Sequence, residues 1–178
     1  MIPKYFFLAK GVGRHSESLQ SFELALRGAG IQHLNVATVS SIIPPGCRLI
    51  SKRRGLEMLK PGEIVFAVWE KNSTGEPHRL VAASIGVATP RDGKGYGYLS
   101  EYCSYGETEE VAGDYAEELA SAMLATIMGV EVPSEESWKE RRELLKASGI
   151  ETTNITQSAT GDVNGLCTTV VAAAVFIL

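Results

Sequence analysis

The last residues of the chain, 167–178, contain no charged side chain and are mostly apolar. This segment is too short to cross a bilayer as a helix, which takes about 20 residues. Short apolar runs rich in valine, alanine and phenylalanine are typical of a strand inside a folded domain. The segment is therefore interpreted as a buried strand and not as a membrane anchor.

Earlier segments show the spacing of further strands and helices. Residues 4–9 are aromatic and aliphatic and predict a first strand, which Gly11-Val12-Gly13 is expected to end. Apolar positions with helical spacing predict a helix over about 18–28, and alternation predicts a strand over 33–39. Further strands are predicted at 47–50, 63–70, 80–89, 95–104, 150–158 and 166–177, and further helices at 108–128 and 135–147.

Two of the predicted helices, the first and the one over 108–128, have one apolar stripe each, which is the pattern of an amphipathic helix. The stripe of the first helix consists of Leu19, Phe22, Ala25, Leu26 and Ala29. The stripe of the 108–128 helix consists of Val111, Tyr115, Leu119, Ala122, Met123 and Ile127, opposite Glu109, Glu110, Glu117 and Glu118. Thr108 is the expected N-cap of that helix.

The predicted order of elements is β-α-β-β-β-β-β-α-α-β-β. No internal repeat, linker or low-complexity segment divides the chain, so we expect one α+β domain over residues 1–178 with a mixed or antiparallel sheet. A four-layer αββα sandwich, with helices outside two sheets, fits this order.

Charge and cysteine content exclude several classes of protein. The formal net charge is −4, whereas nucleic-acid-binding proteins favour a concentrated basic face. The one basic cluster, Lys52-Arg53-Arg54, is interpreted as a solvated loop. Cys47, Cys103 and Cys167 lie far apart and are expected to be reduced thiols of a cytoplasmic protein, with no metal site.

Gly11-Val12-Gly13, between a strand and a helix, invites comparison with a dinucleotide-binding loop. The third glycine of that motif is missing, because position 16 is serine. No G-x-S-x-G motif is present, and none of the three histidines marks a catalytic triad. Neither a dinucleotide enzyme nor a conventional serine hydrolase is therefore expected.

Ser40-Ser41 lies where a predicted strand ends, just before Pro44-Pro45. A pair of serines at a strand end is common and needs no function. The alternative is self-cleavage, in which the Ser41 hydroxyl attacks the Ser40 carbonyl and the resulting ester eliminates to leave a pyruvoyl group. Strain in a turn braced by prolines could drive this reaction, so both interpretations stay open from the residues alone.

Longer motifs around this pair extend through nearly the whole chain. They are Gly28-Ala29-Gly30-Ile31, Leu34-Asn35-Val36, Val39-Ser40-Ser41-Ile42-Ile43-Pro44-Pro45, Val81-Ala82-Ala83-Ser84-Ile85-Gly86-Val87-Ala88, Tyr98-Leu99-Ser100-Glu101-Tyr102, Gly165-Leu166-Cys167 and Ala172-Ala173-Ala174-Val175-Phe176. In this order they resemble the pyruvoyl-dependent arginine decarboxylases. Residues 133–149 are the least similar part.

The resemblance implies a proenzyme that cuts itself between Ser40 and Ser41. Residues 1–40 would become a β chain and residues 41–178 an α chain, with Ser41 converted to the pyruvoyl cofactor. That group would decarboxylate L-arginine to agmatine through a Schiff base, without pyridoxal phosphate or metal. The resemblance also implies a homotrimer of αβ units, or two stacked trimers, with active sites between subunits.

The resemblance also implies roles for three further residues. Glu101 matches the catalytic acid, although a strand glutamate can equally face solvent. Asn35 matches an asparagine at the cleavage site, either as the oxyanion donor of processing or as a substrate contact, although neighbouring backbone could satisfy it. Glu23 stands where the family carries an acid, the shorter Asp, that meets the substrate guanidinium, and either acid can pair with that group, although Glu23 could be a solvated helix residue. A pyruvoyl decarboxylase of another amino acid, or an uncleaved non-catalytic homologue, is the alternative function.

Overall fold

Nine strands and four helices make up the computed structural model of the protein, which describes residues 1–178. The strands are β1 Tyr5–His15, β2 Asn35–Thr38, β3 Ile42–Ile43, β4 Arg48–Leu49, β5 Ile64–Thr74, β6 Leu80–Pro90, β7 Gly97–Tyr105, β8 Ile150–Thr160 and β9 Cys167–Ile177. The helices are α1 Ser18–Ala29, α2 Lys52–Glu57, α3 Glu109–Met128 and α4 Trp138–Ala147. The predicted α+β class is confirmed.

The strands form two sheets. The first has the order β2-β5-β9-β1-β4 and is mixed, because β2 pairs with β5, and β1 with β4, in parallel. The second has the order β3-β7-β6-β8 and is antiparallel throughout. β9, the apolar C-terminal segment, lies at the centre of the first sheet and is buried from Thr168 to Ile177, so its interpretation as a buried strand is correct.

The two sheets pack face to face, and helices cover their outer faces. The core between the sheets includes Phe6 and Val68 from the first sheet and Ile85 and Leu99 from the second. A second core lies between the first sheet and helices α1 and α2, and a third lies beneath α3 and α4. Each buried side chain of this size contributes roughly 1.5–3 kcal/mol to the free energy of folding.

β1 continues without interruption through Gly11 and Gly13, so the prediction that these glycines end the first strand is wrong. Helix α1 lies so close to this strand that a Cβ atom at Gly11 would be 2.1 Å from the carbonyl oxygen of Ala25. A Cβ atom at Gly13 would be 2.1 Å from that of Ser21. The glycines therefore allow a helix to pack tightly on a strand.

The apolar stripe of α3 faces outward, contrary to the usual orientation of an amphipathic helix. Val111, Tyr115, Met123 and Ile127 are all exposed. The side against the sheet is made mostly of small residues, namely Ala112, Gly113, Ala116, Glu117, Ala120, Ser121, Leu124 and Ala125. Small side chains let the helix approach the second sheet closely, and the larger apolar residues are left on the opposite side. On α1, Leu19 is likewise exposed, with 78% of its surface accessible.

Glu117 is fully buried on the inner side of α3, where its carboxylate is completely paired. Thr152 Oγ1 donates to it at 2.5 Å and Asn154 Nδ2 at 2.8 Å, both from β8. Arg142 Nε of α4 lies 2.9 Å from the same carboxylate. A buried charge needs such partners, and these three join α3, α4 and β8.

Lys52, Arg53 and Arg54 form the first turn of α2, so their interpretation as a loop is wrong. Ser51 caps this helix by accepting a hydrogen bond from the Arg54 backbone N–H at 3.3 Å. The Arg54 guanidinium lies 5.6 Å from the centre of the Tyr5 ring. The cluster therefore belongs to a short capped helix that packs beside β1.

The three cysteines are free thiols. No helix has both the length and the apolar character needed to cross a membrane. No three side chains of histidine, cysteine, aspartate or glutamate gather closely enough to ligate a metal ion.

Candidate active site

The segment that carries Ser40 and Ser41 crosses from one sheet to the other. Before it, the Val39 N–H donates to the Ala67 carbonyl at 3.1 Å, at the edge of the first sheet. After it, the Ser41 carbonyl accepts from the Leu99 N–H at 2.8 Å, at the edge of the second sheet. The Ser40–Ser41 peptide therefore bridges the open edge of the sandwich and is anchored on both sides.

Upstream of the crossing, a side-chain hydrogen bond adds to the anchor. Trp69 Nε1 donates to Thr38 Oγ1 at 2.9 Å, and the indole ring stacks on Phe22 of α1 with centroids 5.6 Å apart. β2 thus ends at a residue fixed to both the first sheet and α1.

Ser41 and Glu101 lie together at this edge. Ser41 Oγ donates a hydrogen bond to Glu101 Oε2 at 3.1 Å. Glu101 follows Leu99 by two residues on β7, so the two side chains lie on the same face of the strand. Leu99 is buried in the core between the sheets, and Glu101 therefore also points toward the opposite sheet. At position 101 the sandwich is open, and the carboxylate is exposed.

The backbone turns sharply at Ser41. The Ile42 N–H donates to the Ser40 carbonyl oxygen at 2.9 Å, which is the hydrogen bond of a three-residue γ-turn centred on Ser41. His78 is the one non-glycine residue with a positive φ, so Ser41 has a negative φ and the turn is of the common inverse type. The Ser40 carbonyl oxygen therefore accepts a hydrogen bond from within its own turn.

The residues on either side of Glu101 are attached to α3. Ser100 Oγ donates to the Ala116 carbonyl oxygen of that helix. The Tyr102 hydroxyl donates to Glu107 at 3.1 Å, and its ring lies 4.5 Å from the ring of Tyr115, centroid to centroid. The pKa of the Tyr102 hydroxyl is raised, mainly by burial and to a smaller extent by the hydrogen bond to Glu107 and its negative charge. The strand that carries Glu101 is therefore fixed by contacts on the face opposite to its side chain.

Glu70 of β5 belongs to the same surroundings, although the sequence analysis did not single it out. Burial, and to a smaller extent the negative charge of Glu70, raises the pKa of the Cys103 thiol. Cys103 follows Glu101 by two residues on the same face of β7. One charge at the end of the apolar run 64–69 carries no specific signal in the sequence, so only the fold reveals this neighbour.

Asn35 and Glu23 are not brought to Ser41 within one chain. Asn35 begins β2, at the end of the strand away from the crossing, and its side chain donates to the Gly62 carbonyl at 2.8 Å. Glu23 lies on α1 and accepts a hydrogen bond from Arg27 Nε at 2.6 Å. It lines a surface groove of about 570 Å³ together with His15, Leu19 and Arg27.

A larger cavity, of about 700 Å³, lies beyond β3 and is lined by Ile43, Pro44, Cys47 and Gly97 among others. Burial raises the pKa of the Cys47 thiol to about 11. Neither Ser41 nor Glu101 lines this cavity. One chain therefore presents Ser41 and Glu101 at an open edge, without an enclosing pocket.

Comparison with known proteins decides the family. The family model described as pyruvoyl-dependent arginine decarboxylase matches residues 5–178, which include both the crossing segment and Glu101. The chain belongs to the pyruvoyl-dependent arginine decarboxylase family. The resemblance seen in the sequence is thereby confirmed.

Individual members of the pyruvoyl-dependent arginine decarboxylase family are similar over the full length. A protein of Chloroherpeton thalassium named as a probable pyruvoyl-dependent arginine decarboxylase is 56% identical, over 99% of this chain and 98% of its own. One of Methanococcoides burtonii, named without that qualification, is 52% identical over 100% of both chains. A third, of Methanosarcina acetivorans, is 53% identical over 99% of this chain and 98% of its own.

Proposed function

We propose that the chain is a self-processing pyruvoyl-dependent decarboxylase that converts L-arginine to agmatine and carbon dioxide. The observation that carries the proposal is the hydrogen bond from Ser41 Oγ to Glu101 Oε2 at the crossing between the sheets. It joins the residue from which the cofactor would form to a carboxyl group that can hold a proton there. The names of the relatives support the reaction and the substrate.

The proposed processing begins with attack of Ser41 Oγ on the Ser40 carbonyl carbon. The carbon–nitrogen bond of the Ser40–Ser41 peptide then breaks, and the hydroxyl proton ends on the Ser41 nitrogen, giving an ester and a free amine. Loss of the Ser41 Cα proton expels the Ser40 carboxylate and leaves a dehydroalanine. Water then replaces its nitrogen, which leaves as ammonia, and the product is a pyruvoyl group at position 41.

The fold supports an enzyme that stays assembled after such a cut. Residues 1–40 contain β1, which pairs with β9 from Tyr5 to His15, and β2, which pairs with β5. They also contain α1, which covers the first sheet. The β chain would therefore remain as an integral part of the first sheet.

Glu101 is proposed to hold the proton that decarboxylation requires. A pyruvoyl carbonyl at position 41 would supply an electrophile that takes up the substrate amine as a Schiff base and an electron sink as carbon dioxide leaves. Glu101, in contact with position 41, would deliver a proton to the substrate carbon. Because its carboxyl group is exposed in one chain, we expect substrate or a neighbouring subunit to cover it.

Glu23 is proposed to bind the substrate guanidinium. In the structure its carboxylate already accepts an N–H of the guanidinium of Arg27, at 2.6 Å. A carboxylate and a guanidinium can form two parallel hydrogen bonds, which favours arginine over other cations. The substrate would replace Arg27 as the partner of this carboxylate.

The functional unit is proposed to be a trimer, or two stacked trimers, with sites between subunits. The support is that Ser41 and Glu101 lie at an open edge, whereas Glu23 and Asn35 of the same chain lie elsewhere. A cyclic arrangement would let one subunit present Glu23 and Asn35 to the Ser41 of the next. The exposed Leu19, beside Glu23 on α1, is an apolar residue that such contact would cover.

Mass spectrometry of the purified protein, followed by carbon dioxide release across amino acids, tests the proposal. We expect fragments corresponding to residues 1–40 and 41–178, the second with a pyruvoyl N-terminus, and release from arginine in preference to other substrates. An intact, inactive chain would instead indicate a non-catalytic homologue. A cleaved chain that prefers another amino acid would identify a different pyruvoyl decarboxylase.

A further inference from the structure

We propose that the backbone N–H of Ile42 is the oxyanion donor of the self-cleavage reaction, acting through the γ-turn centred on Ser41. This inference rests on the proposed function, since it concerns the chemistry by which the Ser40–Ser41 peptide breaks. It assigns a catalytic role to a backbone group and not to the Asn35 side chain.

The geometry fits the role. The Ile42 nitrogen lies 2.9 Å from the Ser40 carbonyl oxygen of the uncut chain, which is the atom on which the negative charge develops, and oxyanion donors act at about 2.7–3.1 Å from that charge. Within one chain it is the only group that donates to this oxygen, since the Leu99 N–H donates to the Ser41 carbonyl and Asn35 donates to Gly62. The donor therefore needs no rearrangement before the reaction begins.

The chemistry needs a donor at this atom. When Ser41 Oγ bonds to the Ser40 carbonyl carbon, an electron pair moves onto the carbonyl oxygen, which becomes negatively charged. When the intermediate collapses, that pair re-forms the carbonyl and the bond to the Ser41 nitrogen breaks, with the hydroxyl proton ending on the nitrogen. The N–H of Ile42 would stabilise the negative charge through both steps.

The neighbouring structure holds the donor in place. Ile42 and Ile43 pair with Tyr98 and Gly97 of β7, which fixes the residue that carries the N–H. On the other side of the reacting peptide, the Val39 N–H is bound to Ala67. The Ser40 oxygen and the Ile42 nitrogen are thus held by elements of different sheets, and the turn brings them together.

Replacing Ile42 by its α-hydroxy acid analogue, which exchanges the amide for an ester, tests the role. The exchange removes the N–H and also makes the Ser41 carbonyl a weaker acceptor for the Leu99 N–H. For the Ile42 ester we expect the rate of cleavage at Ser40–Ser41, followed by intact mass, to fall about 10²–10³-fold, as for loss of one oxyanion donor.

The same replacement at Leu99, which removes the donor to the Ser41 carbonyl instead, is expected to leave the cleavage rate close to that of the wild type. The same replacement at exposed Ile2 and the variant Ile42→Val, which keeps the N–H, are expected to cleave at the wild-type rate. Cleavage of the Ile42 ester within twofold of wild type would overturn the inference.

A second measurement does not depend on folding of the ester variant. In the Ser41→Ala protein, which cannot cleave, we expect the Ile42 amide to exchange with deuterium much more slowly than the Ser40 amide. Equal exchange at the two positions would show that the turn hydrogen bond is absent and would overturn the inference. Failure of the wild-type chain to cleave would instead refute the proposed function, so the two failures are distinguishable.

Discussion

Ser41 Oγ and Glu101 Oε2, sixty positions apart in the chain, are joined by a hydrogen bond of 3.1 Å across the edge where the two sheets meet. The contact exists because β3 pairs with β7, which places the start of β3 beside Glu101. It brings a potential nucleophile and a proton-holding group to one point before any cofactor is formed.

Removing the Ser41 hydroxyl is expected to abolish self-processing. In Ser41→Ala no oxygen remains to attack the Ser40 carbonyl, so the protein should run as one chain of 178 residues on a denaturing gel. Ser134→Ala, at an exposed position, is the matched control and should cleave normally. Fragments ending at residue 40 in the alanine variant would rule out this mechanism.

Glu101→Gln is expected to separate processing from turnover. The glutamine oxygen can still accept the Ser41 hydrogen bond, so cleavage should proceed, but the amide cannot deliver a proton. Arginine decarboxylation should fall about 10²–10⁴-fold, while borohydride should still trap arginine on the cleaved α chain. Wild-type turnover in this variant would exclude Glu101 as the acid.

Glu23 is expected to determine the preference for arginine. Wild-type enzyme should prefer arginine to lysine and ornithine by at least about tenfold, equivalent to 1.4 kcal/mol. Glu23→Gln should reduce that preference without changing self-cleavage, because α1 does not contact the Ser40–Ser41 peptide in its own chain. Steady-state kinetics on the three substrates measures this, with Glu136→Gln as an exposed control. An unchanged preference would contradict the role.

Cys47 is expected to make the protein less stable in alkali. Burial raises the pKa of its thiol from about 9 to about 11, so the folded state keeps a proton that the unfolded state loses. Stability from this group is therefore complete below pH 9 and declines as the pH rises toward 11. The free energy of unfolding, measured with urea at a series of pH values between 9 and 11, should fall more steeply with pH for the wild type than for Cys47→Ala. The same dependence of the unfolding free energy on pH in both proteins would show that the Cys47 thiol does not contribute to it.

Gly86→Ala is expected to destabilise the fold. A Cβ atom there would lie 2.0 Å from the Ala116 carbonyl oxygen, where α3 rests on β6. Such overpacking costs about 1–3 kcal/mol or more, which corresponds to about 2–4 °C in Tm for each kcal/mol in a protein of this size. Gly75→Ala, with no atom closer than 4.0 Å, is the matched control. Equal melting temperatures would contradict the close packing.

Much of the secondary structure could be predicted from the sequence, because periodicity and turn residues are local signals. The 108–128 helix and the apolar C-terminal strand are examples. The error at Gly11–Gly13 and the outward-facing apolar stripe of α3 share one cause: how closely a helix approaches a sheet depends on the residues of both elements. The sequence of one segment does not show how closely a second element packs against it. It therefore does not reveal that the small residues, and not the larger apolar ones, lie at the contact between helix and sheet.

In the candidate site, too, the sequence indicates individual residues but not the contacts between distant segments. The resemblance pointed to Ser41 and Glu101, but their contact depends on a pairing between strands far apart in sequence. The γ-turn at Ser41 has no signature in residue type, since Ser-Ser-Ile is compatible with many backbone conformations. Glu70 was missed for a similar reason, because a charge at the end of a strand has many ordinary explanations.

The pairing of β1 with β9 along its whole length has a consequence for how the mature protein would come apart. In one uncut subunit, unfolding is a change within one molecule, and the midpoint of that change does not itself depend on protein concentration; contacts between subunits add the same dependence to the cut and uncut forms. If the backbone is cut after Ser40, as proposed, unfolding of an αβ unit would release two separate polypeptides. The melting temperature should then rise with protein concentration, by mass action. The cut would thus make the stability of each single subunit depend on protein concentration, in addition to any dependence that comes from assembly of subunits.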